Sequence, residues 1–443
     1  NISNYPITNF YVPDGNCKKE TPKKSFVLYF QNKTMDDQSN GKPGTDDYFR
    51  SYGDISVHEL MLRDKPRTAA YQKFIQQNTH LFKDKIILDV GSGTGILSLF
   101  AASAGAKQVF AVEASDIADL SQTIIEENKM EDKIKVIKGK IEDITLPVQK
   151  VDVIISEWMG FYLFHESMLD SVIFARDKYL APDGILVPSD AILYMTPVNM
   201  SSYVQENILF WDNIYGYDFS PVKYAVLGNK MTQPTITTIE MTQCVAEPEI
   251  FYEFDLKTVC LSDVQNINQT LTFTVTKSCL LHGFASWFDV EFKGPSGKTP
   301  GQSTKVVTLS TSPATRETHW KQTVIFLPAA MTLEEGDQVT ASIDLSQDDS
   351  NKRHYNITME ILGEGEEEEV SDSEEDASNH PIPCDCGATR CLLVQALVEK
   401  YDTEQNELEK EAETVDVSAE VEAAQLIDRE MAANSDFNLN ETF

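Results

Sequence analysis

Apolar residues in the first half of the chain alternate between helical spacing and short β-branched runs. The helices predicted from this pattern are 48–80, 95–104, 116–128 and 165–180, and the predicted strands are 86–90, 109–113, 134–138, 151–155 and 184–187. Strands that alternate with helices are typical of a doubly wound α/β sheet. We therefore expect an α/β domain over 48–188.

After residue 188 the pattern changes to short β-rich runs separated by turns. The predicted strands are 191–196, 270–276, 285–292, 304–309, 322–326, 338–343 and 355–361. They predict an antiparallel β domain, a sandwich or a barrel, over 189–362. Aromatic residues on a helical spacing interrupt it at about 202–217, and this segment is either core or an exposed docking arm.

The two ends of the 443-residue chain lack such periodicity. Residues 1–47 are polar with one apolar patch at 26–30, and we expect a flexible segment. Residues 363–380 are dominated by acidic side chains and predict a disordered linker. An acidic tail follows over 381–443.

Charge narrows the range of partners. The chain carries a net charge of −33, and residues 363–443 contribute 24 acidic against 4 basic residues, or −20. Such acidity disfavours direct nucleic-acid binding and favours basic protein segments, although an acidic tail also simply increases solubility. We find no run of 18 apolar residues, and seven scattered cysteines do not make a disulfide framework, so we expect a soluble intracellular protein without membrane association.

The segment 86–113 has the features of a nucleotide-cofactor site. A β-branched run ends in Asp89, a turn containing Gly91 and Gly93 follows, and the next strand ends in Glu113. In an open α/β sheet, ligands bind beyond the carboxyl ends of the strands, so the glycines allow close backbone approach and the acid faces a ribose diol. The Gly-x-Gly-x-Gly spacing resembles the first motif of class I S-adenosylmethionine methyltransferases. An NAD-binding or purely structural βαβ unit is the alternative.

A second signal follows the predicted strand 151–155. Glu157 and Glu166 flank Gly160, so the segment can fold back and bring both carboxylates to one small site. Two carboxylates match the planar donors of a guanidinium group. Their position at a strand end in the same sheet as the glycine turn favours a functional site over ordinary surface charge.

Four motifs in order resemble those of the protein arginine methyltransferases, most nearly the type I, asymmetric dimethylating members. They are Tyr48-Phe49-Arg50-Ser51-Tyr52, the glycine turn with Glu113, the Glu157/Glu166 loop, and Thr318-His319-Trp320. The resemblance covers about 48–363. It implies a doubly wound class I methyltransferase sheet followed by an antiparallel β-barrel domain that carries a helical dimerisation arm near 202–217, and hence a homodimer.

The resemblance also implies roles for individual residues. S-adenosyl-L-methionine would be bound by Tyr48, Phe49, His58, Met61, Arg67, Asp89, Gly91, Gly93, Glu113, Glu142 and Met168. Within this set, Arg67 would pair with the methionine carboxylate, Glu113 with the ribose and Glu142 with the adenine. The arginine substrate would contact Tyr52, Met61, Glu157, Glu166, His319 and Trp320. The catalytic residues would be Glu157, Glu166, His319 and Asp64, with His319 and Asp64 as a dyad that accepts a proton or orients its loop.

Product and partners follow from the same resemblance. His58 and Met61 match the asymmetric dimethylating members, which implies monomethyl and then asymmetric dimethylarginine. We expect Arg/Gly-rich or histone-like substrates in cytoplasm and nucleus. The alternatives are a monomethylating enzyme and a catalytically weak acidic scaffold. Phe161 followed by Tyr162 departs from the family pattern, which commonly has Tyr after Gly160, so a substrate-contacting hydroxyl is displaced or missing.

The tail holds one further candidate site. Cys384, Cys386 and Cys391, with His380 ahead of them, have a spacing that resembles a small zinc knuckle. Unliganded thiols in a flexible tail are the alternative.

Overall fold

A computed structural model of the chain describes residues 27–30, 45–295 and 303–362. The first strand and the helices before the α/β sheet are β1 (Val27–Phe30), α1 (Thr45–Ser51), α2 (Ile55–Arg63) and α3 (Lys65–Gln77). The sheet and its helices follow as β2 (Ile86–Val90), α4 (Ile96–Ser103), β3 (Gln108–Glu113), α5 (Ile117–Glu127), β4 (Ile134–Lys138), β5 (Val151–Ile155), α6 (Met168–Tyr179) and β6 (Leu180–Val187). The predicted strands and helices of this domain are confirmed, with ends shifted by a few residues. The region predicted as helical over 48–80 is three α-helices and a short 3₁₀ turn, Thr79–Leu81.

The parallel sheet has the strand order β4-β3-β2-β5-β6. From β2 the chain continues to β3 and β4 on one side, and then returns to place β5 and β6 on the other. The order of strands therefore reverses at β2, and a crevice opens beyond its carboxyl end. The glycine turn and the loop that carries Glu157 and Glu166 both begin at this edge.

Asp64 ends one helix and begins the next. It is the C-cap of α2 and the N-cap of α3, where its Oδ1 accepts the backbone N–H of Arg67 at 3.0 Å, and Pro66 lies in the first turn of α3. Asp is a favoured N-cap residue and Pro suits the first helical turn, so the sequence fixes this corner locally. The corner turns Arg67 towards the crevice.

The β domain contains the remaining α-helices and strands. They are β7 (Asp190–Val198), α7 (Ser201–Asn207), α8 (Ser220–Thr232), β8 (Thr235–Thr237), β9 (Glu249–Asp255), α9 (Leu261–Gln265), β10 (Asn266–Thr274), β11 (Cys279–Phe292), β12 (Val307–Ser310), β13 (Gln322–Leu333), β14 (Gln338–Gln347) and β15 (Tyr355–Leu362). They form two antiparallel sheets, β8-β13-β11-β7-β9 with β12 beside β11, and β1-β15-β14-β10. The predicted antiparallel domain is confirmed.

Several elements differ from the sequence prediction. The flexible segment predicted over 1–47 is wrong at 27–30, where β1 pairs with β15 from Val27 opposite Glu360 to Phe30 opposite Ile357. Its partner lies more than 300 residues away, so local pattern gives no sign of the pairing. The helices α8 and α9 and the strands β8 and β9 are also missing from the sequence prediction.

Apolar contacts join the two domains across a common core. The rings of Phe74 and Phe292 lie 5.7 Å apart between centroids, and those of Phe164 and Tyr355 lie 5.8 Å apart. All four side chains are almost fully buried. Because packed apolar interiors resist deformation, these contacts hold the β domain against the crevice of the parallel sheet.

Candidate active site

A cavity of about 310 Å³ lies at the crevice. Its walls come from α1 and α2, the glycine turn, the end of β3, the loop after β5, and His319 and Trp320 of the β domain. Of the seventeen residues predicted for catalysis and for cofactor and substrate binding, fifteen line it: Tyr48, Phe49, Tyr52, His58, Met61, Arg67, Gly91, Gly93, Glu113, Glu142, Glu157, Glu166, Met168, His319 and Trp320. Asp89 and Asp64 lie behind its walls.

The glycine turn has a backbone that only glycine adopts easily. Gly91 and Gly93 have φ angles of 72° and 52°. A Cβ atom on Gly93 would lie 3.1 Å from the ring of His58, and one on Gly91 would lie 2.8 Å from the methyl group of Met168. The absence of side chains therefore keeps a narrow space open between the turn, α2 and α6.

Glu113 fixes the shape of this turn. Its Oε2 accepts the backbone N–H of Gly93 at 2.8 Å, and its Oε1 accepts the backbone N–H of Ser115 at 2.8 Å. The residue is buried, and each carboxylate oxygen retains a lone pair for a further donor.

Asp89 is a fully buried carboxyl beneath the turn. Its Oδ2 accepts the hydroxyl of Ser98 at 2.7 Å, while its Oδ1 and the hydroxyl of Ser92 are buried without a hydrogen-bond partner among the described residues. Burial raises the pKa of Asp89 to about 7. Buried polar atoms without partners are uncommon, and Ser92 lines the cavity, so its hydroxyl is a candidate contact for a ligand.

Arg67 and Glu157 form a buried ion pair. Nε and Nη2 of Arg67 both donate to Oε2 of Glu157, at 2.9 and 2.7 Å, and Nη1 donates to the carbonyl of Met61 at 3.3 Å. Oε1 of Glu157 accepts the backbone N–H of Met159 at 3.2 Å. Arg67 therefore orients Glu157 at the cavity wall.

Glu166 is held by two tyrosines of the N-terminal region. Its Oε2 accepts the hydroxyl of Tyr52 at 2.6 Å and that of Tyr48 at 3.1 Å. Burial raises the pKa of Glu166 above its ordinary value, against the lowering effect of these hydrogen bonds. Glu157 and Glu166 line the same cavity, and the charge of Glu157 adds to the rise in the pKa of Glu166.

Asp64 and His319 form the predicted dyad across the domain boundary. Nδ1 of His319 lies 2.7 Å from Oδ2 of Asp64, which also accepts the backbone N–H of His319 at 2.8 Å. Burial works to raise the pKa of Asp64, but hydrogen bonds from His319 and Arg67 outweigh it and hold that pKa below its ordinary value. An ionised Asp64 keeps a proton on Nδ1 of His319 and leaves Nε2 to accept one.

Trp320 anchors one loop on another. Its indole N–H donates to the carbonyl of Met159 at 2.9 Å, and its ring is almost fully buried. This contact joins the Thr-His-Trp segment to the loop that carries Glu157. Most of Trp320 therefore packs against protein rather than facing the cavity.

Three other predicted residues occupy the edges of the cavity. Nε2 of His58 lies 2.8 Å from the carbonyl of Tyr52, which joins α2 to the segment after α1. The sulfur of Met61 lies 3.8 Å from Nη2 of Arg67. Glu142 is exposed at the mouth and accepts the hydroxyl of Ser171 at 2.6 Å.

The departure at Phe161 and Tyr162 has a structural consequence. Phe161 lines the cavity, whereas the hydroxyl of Tyr162 lies 3.1 Å from Nδ1 of His165 and Tyr162 is buried behind the loop. The hydroxyl following Gly160 is therefore absent from the cavity wall.

Sequence reasoning missed Arg353. It lies in the turn between β14 and β15, yet it lines the cavity and its Nη1 donates to the carbonyl of Glu166 at 2.9 Å. No motif surrounds it, and 187 positions separate the two residues. Only the three-dimensional structure brings them together.

The structure does not test the predicted zinc site. Its ligands Cys384, Cys386 and Cys391 lie outside the described residues. Within the described ranges, no group of three His, Cys, Asp or Glu side chains is arranged to hold a metal ion.

Among the helices of the described residues, none is long and apolar enough to span a membrane.

Two protein families match the chain, one on each side of the boundary between the two domains. Residues 189–364 match the arginine methyltransferase oligomerization subdomain. Residues 69–187 match the ribosomal protein L11 methyltransferase family. The two matched ranges correspond to the β domain and to most of the α/β domain.

Whole-chain similarity points the same way. The chain is 41% identical over 326 residues to protein arginine N-methyltransferase 1 of Schizosaccharomyces pombe, covering 74% of this chain and 92% of that protein. It is also 41% identical over 312 residues to protein arginine N-methyltransferase 1 of Saccharomyces cerevisiae, covering 70% and 86%.

Solved structures share the fold. A Trypanosoma brucei PRMT1 enzyme-prozyme heterotetrameric complex with AdoHcy gives a TM-score of 0.64 at 36% identity, covering 71% of this chain and 95% of that one. Arabidopsis thaliana protein arginine methyltransferase 10 gives 0.61 at 32% identity, covering 71% and 94%. The chain therefore belongs to the protein arginine N-methyltransferase family and is an S-adenosylmethionine-dependent enzyme of its type I class.

Proposed function

We propose that Glu157 and Glu166 bind the guanidinium group of an arginine side chain and that the glycine turn beside them holds the methyl donor. The observation that carries this proposal is that both half-buried carboxylates line one cavity with Gly91, Gly93 and Glu113. Two acids next to a nucleotide-type turn suit a cationic acceptor and a nucleoside donor in a single site.

The chain's own residues fit S-adenosylmethionine. The space that side chains on Gly91 and Gly93 would fill gives the donor room against the backbone, and Glu113 has lone pairs for ribose hydroxyls. Arg67 offers a cation for the methionine carboxylate, and Glu142 at the mouth accepts a hydrogen bond from an adenine amino group. We assign the rest of the predicted contacts to Tyr48, Phe49, His58, Met61, Asp89 and Met168, with Asp89 acting from beneath the turn. When bound, the donor supplies an electrophilic methyl group on a sulfonium centre.

The two carboxylates activate the acceptor electrostatically. A guanidinium group is a weak nucleophile because its lone pairs are delocalised and it stays protonated. Carboxylates on two sides concentrate its positive charge on the nitrogens that they contact, which leaves the remaining terminal nitrogen more nucleophilic. Holding that nitrogen in line with the methyl group replaces a random encounter by a fixed geometry.

The Asp64–His319 dyad accepts the proton that the acceptor nitrogen loses when it takes up the methyl group, whose bond to the sulfur of the donor breaks. With Nδ1 of His319 directed at Asp64, Nε2 is the atom of the ring that accepts this proton. The dyad also fixes the Thr-His-Trp segment at the cavity wall, where Tyr52 and Trp320 complete the proposed surface for the arginine substrate.

We further propose asymmetric dimethylarginine as the final product. Met61 and Met168 line the cavity with flexible, unbranched side chains that leave room for a nitrogen carrying one methyl group. A bulkier residue on α2 would restrict the second transfer.

The oligomeric state is proposed as a homodimer formed through the helical arm. The β domain matches an oligomerization subdomain, and large apolar side chains on the arm are exposed, with Phe210 at 54% and Tyr217 at 73%. Exposed apolar patches of this kind mark protein interfaces.

The acidic tail suits basic, Arg/Gly-rich or histone-like substrates. We propose that the enzyme acts in cytoplasm and nucleus.

Product analysis tests this proposal. The protein is incubated with labelled S-adenosylmethionine and an Arg/Gly-repeat peptide, beside a Met61→Phe variant, and the products are resolved by mass and fragmentation. We expect asymmetric dimethylarginine from the wild type and accumulated monomethylarginine from the variant. Monomethylarginine alone from the wild type would favour a monomethylating enzyme, and no transfer despite cofactor binding would favour a scaffold.

A further inference from the structure

The turn between β14 and β15 reaches out of the β domain and docks on the loop that carries Glu166. The backbone N–H of Glu166 donates to the carbonyl of Arg353 at 2.8 Å, and Nη1 of Arg353 donates to the carbonyl of Glu166 at 2.9 Å. Both backbone hydrogen-bonding groups of Glu166 are therefore taken up by one residue from the other domain.

These two hydrogen bonds matter because Glu166 has an uncommon backbone conformation. Its φ angle is 75°, a left-handed conformation that non-glycine residues adopt only where the surroundings impose it. That conformation sets the direction of the Glu166 side chain. The contacts with Arg353 supply the constraint directly at the peptide groups on either side of it.

The same guanidinium covers the aromatic side chains of α1. Its central carbon lies 3.7 Å from the centroid of the Tyr48 ring and 5.0 Å from that of Phe49. The hydroxyl of Tyr48 in turn donates to Glu166. Arg353 thus contacts Glu166 through its backbone and also packs on the ring whose hydroxyl holds the Glu166 carboxylate.

Neighbouring contacts fix the turn in place. The rings of His354 and His165 stack with centroids 5.7 Å apart and planes 9° from parallel. The side-chain amide of Gln347 donates to the hydroxyl of Ser167 at 3.2 Å. Arg353 is therefore presented by a docked turn, and its Nε atom is buried without a hydrogen-bond partner among the described residues. A solvent-facing arginine would not show such burial.

We propose that Arg353 is a positioning residue for Glu166: it holds the Glu166 backbone in its left-handed conformation and clasps α1 over the cavity through Tyr48. The β domain thereby takes part in arranging the acidic pair, in addition to supplying His319. This inference rests on the role proposed above for Glu166.

The test compares Arg353→Met and Arg353→Lys with Lys352→Met in the full-length enzyme. Lys352 is the adjacent cation in the same turn, and its ammonium group pairs with exposed Asp349 away from the cavity. The assay measures kcat and KM for an Arg/Gly-repeat peptide, the Kd for S-adenosylhomocysteine, and thermal unfolding. A Glu166→Gln variant is assayed beside them.

We expect Arg353→Met to lower kcat about 10-fold or more, since a small misplacement of a reacting group is costly, while Lys352→Met stays within about twofold of wild type. Arg353→Lys keeps the charge but loses the planar stack and the directed bond, and should give a smaller loss of kcat.

The pH dependence of kcat/KM distinguishes a positioning role of Arg353 from a purely structural one. The charged and titratable groups that face Glu166 are Tyr48 and Tyr52 near α1, Glu157 of its own loop, and Arg353. Arg353 lowers the pKa of Glu166, so its removal should move the acid limb of kcat/KM to higher pH by at least about 0.5 pH unit. Lys352→Met should leave the limb in place.

Two results would overturn the inference. One is an Arg353→Met enzyme with wild-type kcat and an unmoved acid limb, while Glu166→Gln is inactive. The other is a loss of activity in both Arg353 variants that merely follows a loss of folded protein. If Glu166→Gln itself retained full activity, the role proposed for Glu166 would fail instead, so the two failures are distinguishable.

Discussion

The Nδ1 atom of His319 lies 2.7 Å from the Oδ2 atom of Asp64, although 255 positions separate the two residues in the chain. The same carboxylate caps α3 through its other oxygen, 3.0 Å from the backbone nitrogen of Arg67. One buried acid therefore orients the candidate base from the β domain and begins the helix that presents Arg67.

Asp64→Asn should separate these two tasks. Asn is as good an N-cap as Asp, so α3 should remain intact, but a neutral amide does not stabilise a protonated His319. We expect kcat to fall by about 10²-fold with little change in cofactor Kd. Steady-state kinetics beside Asp54→Asn, at the exposed N-cap of α2, checks this expectation. Activity within about threefold of wild type would show that the dyad is structural only.

Gly93→Ala should impair cofactor binding. The new Cβ atom would lie 3.1 Å from the His58 ring, on a backbone with a φ angle of 52°. We expect the Kd for S-adenosylhomocysteine to rise at least about 10-fold, measured by calorimetry.

Gly336→Ala is the matched control, because Gly336 has a φ angle of 94° but open space around its Cβ position. It carries the same left-handed strain, about 1–2 kcal/mol, without the clash. Equal Kd values for both variants would contradict a role for the narrow space at Gly93.

Asp89 should give the fold a recognisable pH dependence. The folded protein holds the Asp89 proton up to about pH 7, whereas the unfolded chain loses it near 3.8. The free energy of unfolding should therefore fall as pH rises from about 4 to 7, by on the order of 4 kcal/mol from this group. Asp89→Asn does not titrate and should lack this component.

Denaturant unfolding of wild type and Asp89→Asn at several pH values from 4 to 8 measures the effect. We expect the stability of the variant relative to wild type to increase with pH. A constant difference, like that expected for the exposed Asp132→Asn, would show that Asp89 is ionised in the folded protein.

Charges on the arm should dissociate the proposed homodimer. Phe210→Asp combined with Tyr217→Asp places two carboxylates on its exposed apolar surface, and we expect the mass from light scattering to fall to that of one chain. Val306→Asp changes a comparably exposed apolar residue outside the arm and should leave the mass unchanged. A dimer that survives the double substitution would place the interface elsewhere.

The sequence pattern was enough to predict the residues of the site that lie close together in the chain. The glycine turn, Asp89 and Glu113 follow strand ends within a single βαβ unit, so periodicity located them. Glu157 and Glu166 share one short loop. The roles of Asp64, Arg67 and His319 required the family resemblance, because their neighbours come from distant segments.

Long-range pairings account for what was missed. The strand β1 is defined by its pairing with β15, and Arg353 by a turn that docks on another domain. A polar turn and a short apolar patch look ordinary in sequence. Packing of Phe164 against Tyr355, stacking of His354 on His165 and the hydrogen bonds of Arg353 with Glu166 bring that turn to the cavity.

Methyl transfer by Glu157→Gln tests the central claim most directly. The variant keeps the size of the side chain but removes the charge that pairs with Arg67 and, in our proposal, polarises the acceptor. We measure transfer from labelled S-adenosylmethionine to an Arg/Gly-repeat peptide in a single turnover, with the exposed Glu131→Gln as control. We predict a loss of at least about 10²-fold with cofactor binding and folding retained. Transfer at the wild-type rate would contradict the assignment of this acidic pair as the guanidinium site.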